Sequence, residues 1–253
     1  MSDTAKIPAV VLAGGQSKPE VEAQGWPKWR ALALLAGRPI LSYVLDALRA
    51  SETVGTISIV GPEELRPVIG DATLLPVAET LWDNIATGLR HAPPGLVLTV
   101  AADAPLMTPA SIDDYVRRAA AMDVDFVYPF ISKADCLSQC PGLSRTYVTL
   151  REGVFTGGNL MLVKGPAILA QDALIRKAIA ARKNPVELAR LISPIFMVKF
   201  LSHRATIRDL ERQISRILNA NARGLQTSYA EVGADLDSPE ETPIVESLLC
   251  KRG

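Results

Sequence analysis

Residues Ile7–Arg30 read IPAVVLAGGQSKPEVEAQGWPKWR. An apolar run, Ile7 to Ala13, meets two glycines and then a polar loop ending in Pro27, Lys28, Trp29 and Arg30. An apolar run of this length bounded by glycine reads as a strand buried on both faces of an α/β sheet. Ligands of open α/β sheets bind beyond the carboxyl ends of such strands. Gly14 and Gly15 fall there, and without Cβ atoms they let backbone N–H groups approach a bulky anion. The cations that follow then meet that anion from the other side. The stretch reads as a nucleoside-triphosphate loop. Three familiar phosphate loops do not fit it. A Walker loop ends in Gly-Lys-Ser/Thr at a helix start, the dinucleotide fingerprint spaces its glycines differently, and a kinase glycine loop lies on a hairpin.

Outward from this loop, strands and amphipathic helices alternate. Pro39–Ala50 (PILSYVLDALRA) gives a helix with Pro39 in its first turn. Thr56–Val60 is a strand stopped by Gly61 and Pro62, and Thr73–Val77 a weaker one. A helix over Thr80–His91 carries Leu81, Ile85 and Leu89 on one face, and Leu96–Ala101 is a buried strand. A helix over Ser111–Ala121 and a strand over Asp125–Tyr128 continue the series. This order predicts an α/β fold, a three-layer α/β/α Rossmann-like, mostly parallel, doubly wound sheet. Ser132–Glu152 reads as a long irregular excursion, the kind that often carries function. A strand over Gly158–Val163 and a helical insertion near 166–222 follow. Glu231–Asp235 reads as a short strand, and Ser238-Pro239-Glu240-Glu241 as a helix start with Ser238 as N-cap and Glu241 completing a capping box. The whole, residues 1–253, is expected to be one domain.

The composition excludes several classes. Lys and Arg total 27 and so do Asp and Glu, so no bulk attraction to nucleic acid is expected. The cysteines, Cys136, Cys140 and Cys250, are an odd number without zinc spacing, which points to a reducing compartment. No apolar stretch is long enough to span a bilayer and no signal-peptide pattern is present, so a cytoplasmic protein is expected. The balance hides an asymmetry: Arg176 to Arg223 holds eleven Lys and Arg against Glu187, Asp209 and Glu211. Arg204, Arg208, Arg212 and Arg216 are spaced by four and predict a stripe on one helix face, opposite a buried face of Ile207, Leu210, Ile214 and Ile217. That stripe reads first as a solvated basic face. Its functional alternative is a peripheral contact with an anionic substrate or membrane surface, which the apolar Leu191–Leu201 favours, without stable insertion.

A set of motifs in fixed order resembles a known family. Leu12-Ala13-Gly14-Gly15, a cation at Lys28 or Arg30, and Leu35-Ala36-Gly37-Arg38-Pro39-Ile40 come first. Asn84–Leu89 (NIATGL), Ala102-Asp103-Ala104-Pro105-Leu106, Thr156-Gly157-Gly158-Asn159 and Asp235-Leu236-Asp237-Ser238-Pro239-Glu240 complete it. The set resembles the nucleotidyltransferases of the nucleotide-diphospho-sugar transferase (GT-A-like) fold, and within them the molybdenum-cofactor guanylyltransferase-like (MobA-like) branch, over nearly the whole chain.

The resemblance implies an Mg2+-dependent transfer of a nucleoside monophosphate from a triphosphate, GTP or CTP, to a phosphorylated small-molecule acceptor, with release of pyrophosphate. Such chemistry rests on positioning and charge neutralisation. Magnesium needs one or two carboxylates plus phosphate oxygens. Asp103 stands at a strand end, and Asp235 matches the second metal ligand, with Asp237 as the capping alternative. Pro27-Lys28 matches the family's Pro-Lys pair, while the spacing to Gly37 falls on Arg30; both remain candidates for the phosphate cation. Many members carry an arginine where this chain has Pro19, and Lys18 beside it is the candidate substitute. Leu12, Ala13, Gly14 and Gly15 would hold the nucleotide phosphates, Asn84 and Gly88 its base or ribose, and Thr156, Gly157, Gly158 and Asn159 the acceptor. Two other readings stand beside this one: a glycosyltransferase on the same fold, and a non-catalytic nucleotide- or membrane-binding regulator suggested by Pro19 and the basic region.

Overall fold

The computed structural model describes residues 6–181 and 191–251. Its centre is a nine-stranded sheet. β1 (Ile7–Leu12) runs parallel to β4 (Val54–Gly61) on one side and β6 (Leu96–Ala101) on the other, and β5 (Thr73–Pro76) extends the sheet beyond β4. A two-stranded ribbon, β2 (Leu34–Leu35) with β3 (Arg38–Pro39), follows the opening loop. It turns through Ala36 and Gly37, both at positive φ.

Beyond β6 the direction changes. β10 (Leu160–Lys164) is antiparallel to β6 and to β7 (Phe126–Ser132), while β11 (Ala222–Thr227) runs parallel to β7 on its far edge. β8 (Val148–Leu150) and β9 (Gly153–Gly157) form a hairpin whose second strand pairs the end of β7. Only β9 and β10 oppose the rest, so the sheet is mixed and mostly parallel.

The period-two alternation of the strands builds the layers. Ala9 and Val11 of β1 join Leu98 and Val100 of β6 under the helices Ile40–Ala50 and Pro109–Ala120. Val10, Val60 and Val97 face the other way, against Trp82, Ala86 and Leu89 of the helix Leu81–His91 and against Ile168 and Ile175. Two buried polar groups fasten this core. The Tyr115 hydroxyl donates to the Val127 carbonyl at 2.7 Å and accepts from the Leu162 amide at 3.1 Å, joining β7 to β10. Asp113 accepts from the hydroxyls of Ser51 and Thr53 and the amides of Glu52 and Thr53, tying its helix to the start of β4.

The second half of the chain departs from the sequence reading in several places. The excursion Ser132–Glu152 contains a helix, Lys133–Gln139, and the first strand of the β8–β9 hairpin. Its polar residues are N-cap and turn residues: Ser132 accepts from the Asp135 amide at 3.0 Å. β11 begins at Ala222, where helix was expected to end. Glu231–Asp235 is not a strand, because Ala230–Gly233 forms a 3₁₀ turn. Ser238 makes no side-chain cap, and Glu241 reaches the amides of Ser144 and Asp237 instead. The helices Gly165–Leu169, Asp172–Ala181, Pro194–Leu201 and Ile207–Leu218 fall in the expected insertion, and residues 182–190 of it lie outside the described residues. Arg204 precedes the last of these helices, so the expected stripe holds only Arg208, Arg212 and Arg216. The face opposite is half-buried rather than buried. No helix among the described residues is long and apolar enough to cross a membrane.

Candidate active site

The loop after β1 closes on itself. The Ser17 amide donates to the Lys28 carbonyl at 2.8 Å, the Ser17 hydroxyl to the Pro27 carbonyl at 2.7 Å, and the Arg30 amide to the Gly15 carbonyl at 3.1 Å. Gln16 and Trp29 bridge antiparallel. These bonds bring Arg30 back over the glycine turn, where a Cβ on Gly15 would lie 3.1 Å from its guanidinium. A Cβ on Gly14 would lie 2.6 Å from Val77, so that position tolerates no side chain.

Leu12, Ala13, Gly14, Gly15, Arg30 and Asp103 line a cleft of about 800 Å³ whose far wall is Val77–Glu79, Leu81 and Asn84. Asn84 lies on this wall, but its amide is engaged by Ala78, accepting from the Ala78 amide at 2.7 Å and donating to its carbonyl at 3.3 Å. It therefore fixes the wall. Gly88 corrects the sequence reading. A Cβ there would sit 2.1 Å from Val10, so it is a packing glycine that lets its helix press on β1, and it does not line the cleft. Lys18 and Lys28 are exposed, neither lines the cleft, and the Lys28 ammonium stands 5.0 Å from the Trp29 ring.

Asp103 follows β6, and its carbonyl accepts from the Leu236 amide at 2.8 Å. That bond sets Asp235 and Asp237 beside it. Arg30 pairs with Asp103 at 3.2 Å and also with Asp237, while Arg145 pairs with Asp235 at 3.1 Å. Three carboxylates thus share two guanidiniums. Burial pushes the Asp103 carboxyl up, Arg30 pulls it down, and the charge of Asp237 adds to the rise. Burial likewise raises Asp235, to about 6, against Arg145 and with Asp237 and Asp103. Asp103 and Asp235 are desolvated and Asp237 beside them is exposed, and a cluster with one excess negative charge and hard oxygen donors has the chemistry that a divalent cation takes. Among the described residues no group of three His, Cys, Asp or Glu side chains forms a metal cage.

A second cleft, of about 480 Å³, opens on the other side of the carboxylates. Thr156, Gly157, Gly158 and Asn159 line it with Arg145, Asp235 and Asp237. The two glycines are required by packing: Cβ atoms would fall 2.1 Å from the Tyr128 hydroxyl and 2.8 Å from Pro129 and Val232. The Thr156 hydroxyl donates to the Thr146 carbonyl at 3.0 Å. Two buried donors at the clefts, Arg30 Nε and Asn159 Nδ2, have no acceptor among the described residues. A buried donor without a partner is costly and points to a ligand that supplies one. Sequence reasoning missed Arg145, whose side chain is 8% exposed. Nothing in Ser144-Arg145-Thr146 marks it; only the fold brings it to Asp235.

These features are those of a nucleotidyltransferase. Residues 9–224 match the family model of the MobA-like NTP transferase domain, and the chain belongs to that family. It is 26% identical over 210 residues to a 2-C-methyl-D-erythritol 4-phosphate cytidylyltransferase of Streptomyces avermitilis, across 76% of this chain and 80% of the relative. A solved hypothetical transferase from Thermus thermophilus superposes with a TM-score of 0.84 at 35% identity, covering 94% of this chain and 99% of its own. A CMP:2-keto-3-deoxy-manno-octonic acid synthetase complexed with CTP shares the fold at 10% identity, with a TM-score of 0.63, covering 98% of this chain and all of its own. Membership of this family sets aside the glycosyltransferase and regulator readings.

Proposed function

We propose that the chain transfers a cytidylyl group from CTP to the phosphate of a small phosphorylated polyol or sugar. An acceptor phosphate oxygen bonds to the α-phosphorus as the bond from that phosphorus to the bridging oxygen breaks, and pyrophosphate leaves. Leu12–Gly15 present backbone to the triphosphate, and Arg30 neutralises it across the glycine turn. Asp103 and Asp235 would hold Mg2+, which when bound withdraws charge from the phosphate oxygens. Asn159, Thr156 and Arg145 orient the acceptor phosphate in the second cleft. The observation that carries this reading is Arg30. Its Nε is buried without an acceptor, it lies over Gly15, and its terminal nitrogens reach Asp103 and Asp237 between the two clefts. The relatives favour CTP over GTP, since one is a cytidylyltransferase and another was solved with CTP.

The test is pyrophosphate release by the full chain with each of the four nucleoside triphosphates, Mg2+ and pools of phosphorylated sugars and polyols. Release is expected with CTP and a phosphorylated acceptor, and none with the dephosphorylated pool. Release with GTP but not CTP would overturn the base assignment, and equal release with both acceptor pools would overturn the acceptor class.

A further inference from the structure

A second kind of site lies beside the second cleft, on the face of β7 that carries Phe126, Tyr128 and Phe130. Strand β7 is apolar on both faces: Val127 and Ile131 point into the core, while Phe126, Tyr128 and Phe130 alternate to the other side and are only half-buried. Phe130 meets Phe155 edge to face at 5.2 Å. The helix Ile207–Leu218 lies over these rings with Ile207, Leu210 and Ile214 toward them, yet its one buried residue is Gln213, on the side facing Leu191 and Ser193. Phe130, Val148, Ile207 and Leu210 pack against Leu150 and Phe155, but between helix and sheet an apolar cavity of about 240 Å³ remains, walled by the aromatic row, Val148, Leu150 and the three helix residues. Close-packed cores do not leave such voids, and dry apolar cavities of about 150 Å³ take up benzene. By that scale this one has room for a chain of about ten carbons.

The cavity adjoins a cleft of about 370 Å³ lined by Arg208, Glu211, Arg212 and Arg223, and Glu211 and Arg223 line both. Glu211 accepts from the Gly224 amide at 2.8 Å, so it is already engaged. The arginines are less fully engaged. Arg212 pairs with Asp209 at 3.5 Å, a carboxylate that Lys199 holds more closely, Arg223 donates to the Ala222 carbonyl at 3.2 Å, and Arg208 has no hydrogen bond or ion pair among the described residues. Three guanidiniums and one carboxylate line this mouth, and although Asp209 offsets part of the charge of Arg212, the mouth of the apolar cavity stays net positive.

We propose that this cavity and its arginine mouth bind a single-chain anionic amphiphile, its apolar chain against Phe126, Tyr128 and Phe130 and its phosphate or carboxylate head on Arg208, Arg212 and Arg223. The site is separate from the reaction clefts, though Tyr128, Thr156 and Gly157 wall both it and the acceptor cleft. Of the four arginines singled out from their spacing, Arg208 and Arg212 line this mouth, whereas Arg216 turns to the Leu191 carbonyl.

Calorimetric titration of the full chain with monomeric decyl phosphate tests this, with decanol, inorganic phosphate and vesicles containing phosphatidic acid as comparisons. Decyl phosphate is expected to bind at least about tenfold more tightly than decanol or phosphate, because both halves of the site are needed. Ile214→Phe, which pushes a ring into the cavity, should weaken its binding about tenfold or more, as should the double change R208E/R223E. Both should leave CTP binding as it was. Val148→Trp on the opposite wall serves if Ile214→Phe does not fold by circular dichroism. Equal affinity for decanol, unchanged binding in the filled variants, or capture on vesicles with no binding of the monomer would each overturn the proposal. The last outcome would make the arginine face a membrane contact.

Discussion

The two clefts on either side of Asp103 are built in opposite ways. The cleft proposed for the triphosphate is assembled from strand ends of the parallel half of the sheet, at Leu12–Gly15 and Ala101–Asp103, with Arg30 folded back by a loop that bonds to itself. The cleft proposed for the acceptor is assembled from Ser144–Thr146, Thr156–Asn159 and Gly233–Glu241, segments brought together by the antiparallel arm and a 3₁₀ turn. In a parallel sheet the strand ends gather on one edge, so residues after each strand share a site by default. An antiparallel arm offers no such rule, and its site depends on long-range contacts. The first cleft is therefore set by local chain chemistry and the second by tertiary packing.

The sharpest way to break this comparison is at the residue between the clefts. Asp103→Asn keeps the shape and removes the charge that would hold a cation against the phosphates. A loss of about a thousandfold in kcat is expected, since metal charge stabilisation is worth several kcal/mol. Circular dichroism should be unchanged. Activity within about tenfold of the parent would sink the metal assignment.

Arg30 and Lys28 come next, because the sequence offered both. Arg30→Ala should lower kcat/KM about a hundredfold, the scale of one lost transition-state donor. Lys28→Ala, exposed beside Trp29, should change it by less than about threefold. A larger effect of Lys28→Ala than of Arg30→Ala would reverse the assignment, and would mean that the loop rearranges when nucleotide binds.

What the sequence made legible follows the same division. The parallel half was readable because its strands are short apolar runs, most of them closed by glycine or proline, and its helices have one apolar face. Leu96–Ala101 has the same bounds in the sequence and in the structure. The glycine turn and Asp103 were readable because they end such runs. Gly88 was misread because a glycine needed for packing against Val10 looks the same in sequence as one needed by a ligand. The hairpin Val148–Gly157 was read in part as loop because strands of three and five residues carry too few alternations to register. β11 was hidden because Ala222–Thr227 (ARGLQT) has no apolar run and gains its order only by pairing with β7. Arg145 was invisible for the same reason: its partner, Asp235, is 90 residues away.

Arg145 sharpens the comparison from the acceptor side. Arg145→Lys keeps a positive charge beside Asp235 but loses the fork that reaches the Asp235 side chain and carbonyl together. The KM for the phosphorylated acceptor should rise about tenfold while the KM for CTP and kcat stay within about threefold. An equal rise in both KM values would show that the clefts are not separate binding units.

The smallest effect concerns Asp113, a carboxylate that belongs to neither cleft and supports the frame beneath the first. Burial alone would raise its pKa, but the hydroxyls of Ser51 and Thr53 and the amides of Glu52 and Thr53 outweigh burial and hold it below the ordinary value. A carboxylate lowered on folding adds stability that is present above its unfolded pKa, near about 4, and is lost as pH falls through the folded one. Asp113→Asn replaces one acceptor oxygen with an NH2 that faces donors. At pH 7 it should cost about 2 kcal/mol, the worth of hydrogen bonds to a charged group, or about 5 °C in Tm for a chain of this size. The gap between parent and variant should be constant from pH 8 to pH 5 and narrow below about pH 4. Catalysis at pH 7 should not change, because Asp113 touches Ser51 to Thr53 at the amino end of β4, away from the strand ends that form the clefts. A gap that widens on acidification would mean that Asp113 is held protonated in the folded chain, and would reverse the sign of its contribution.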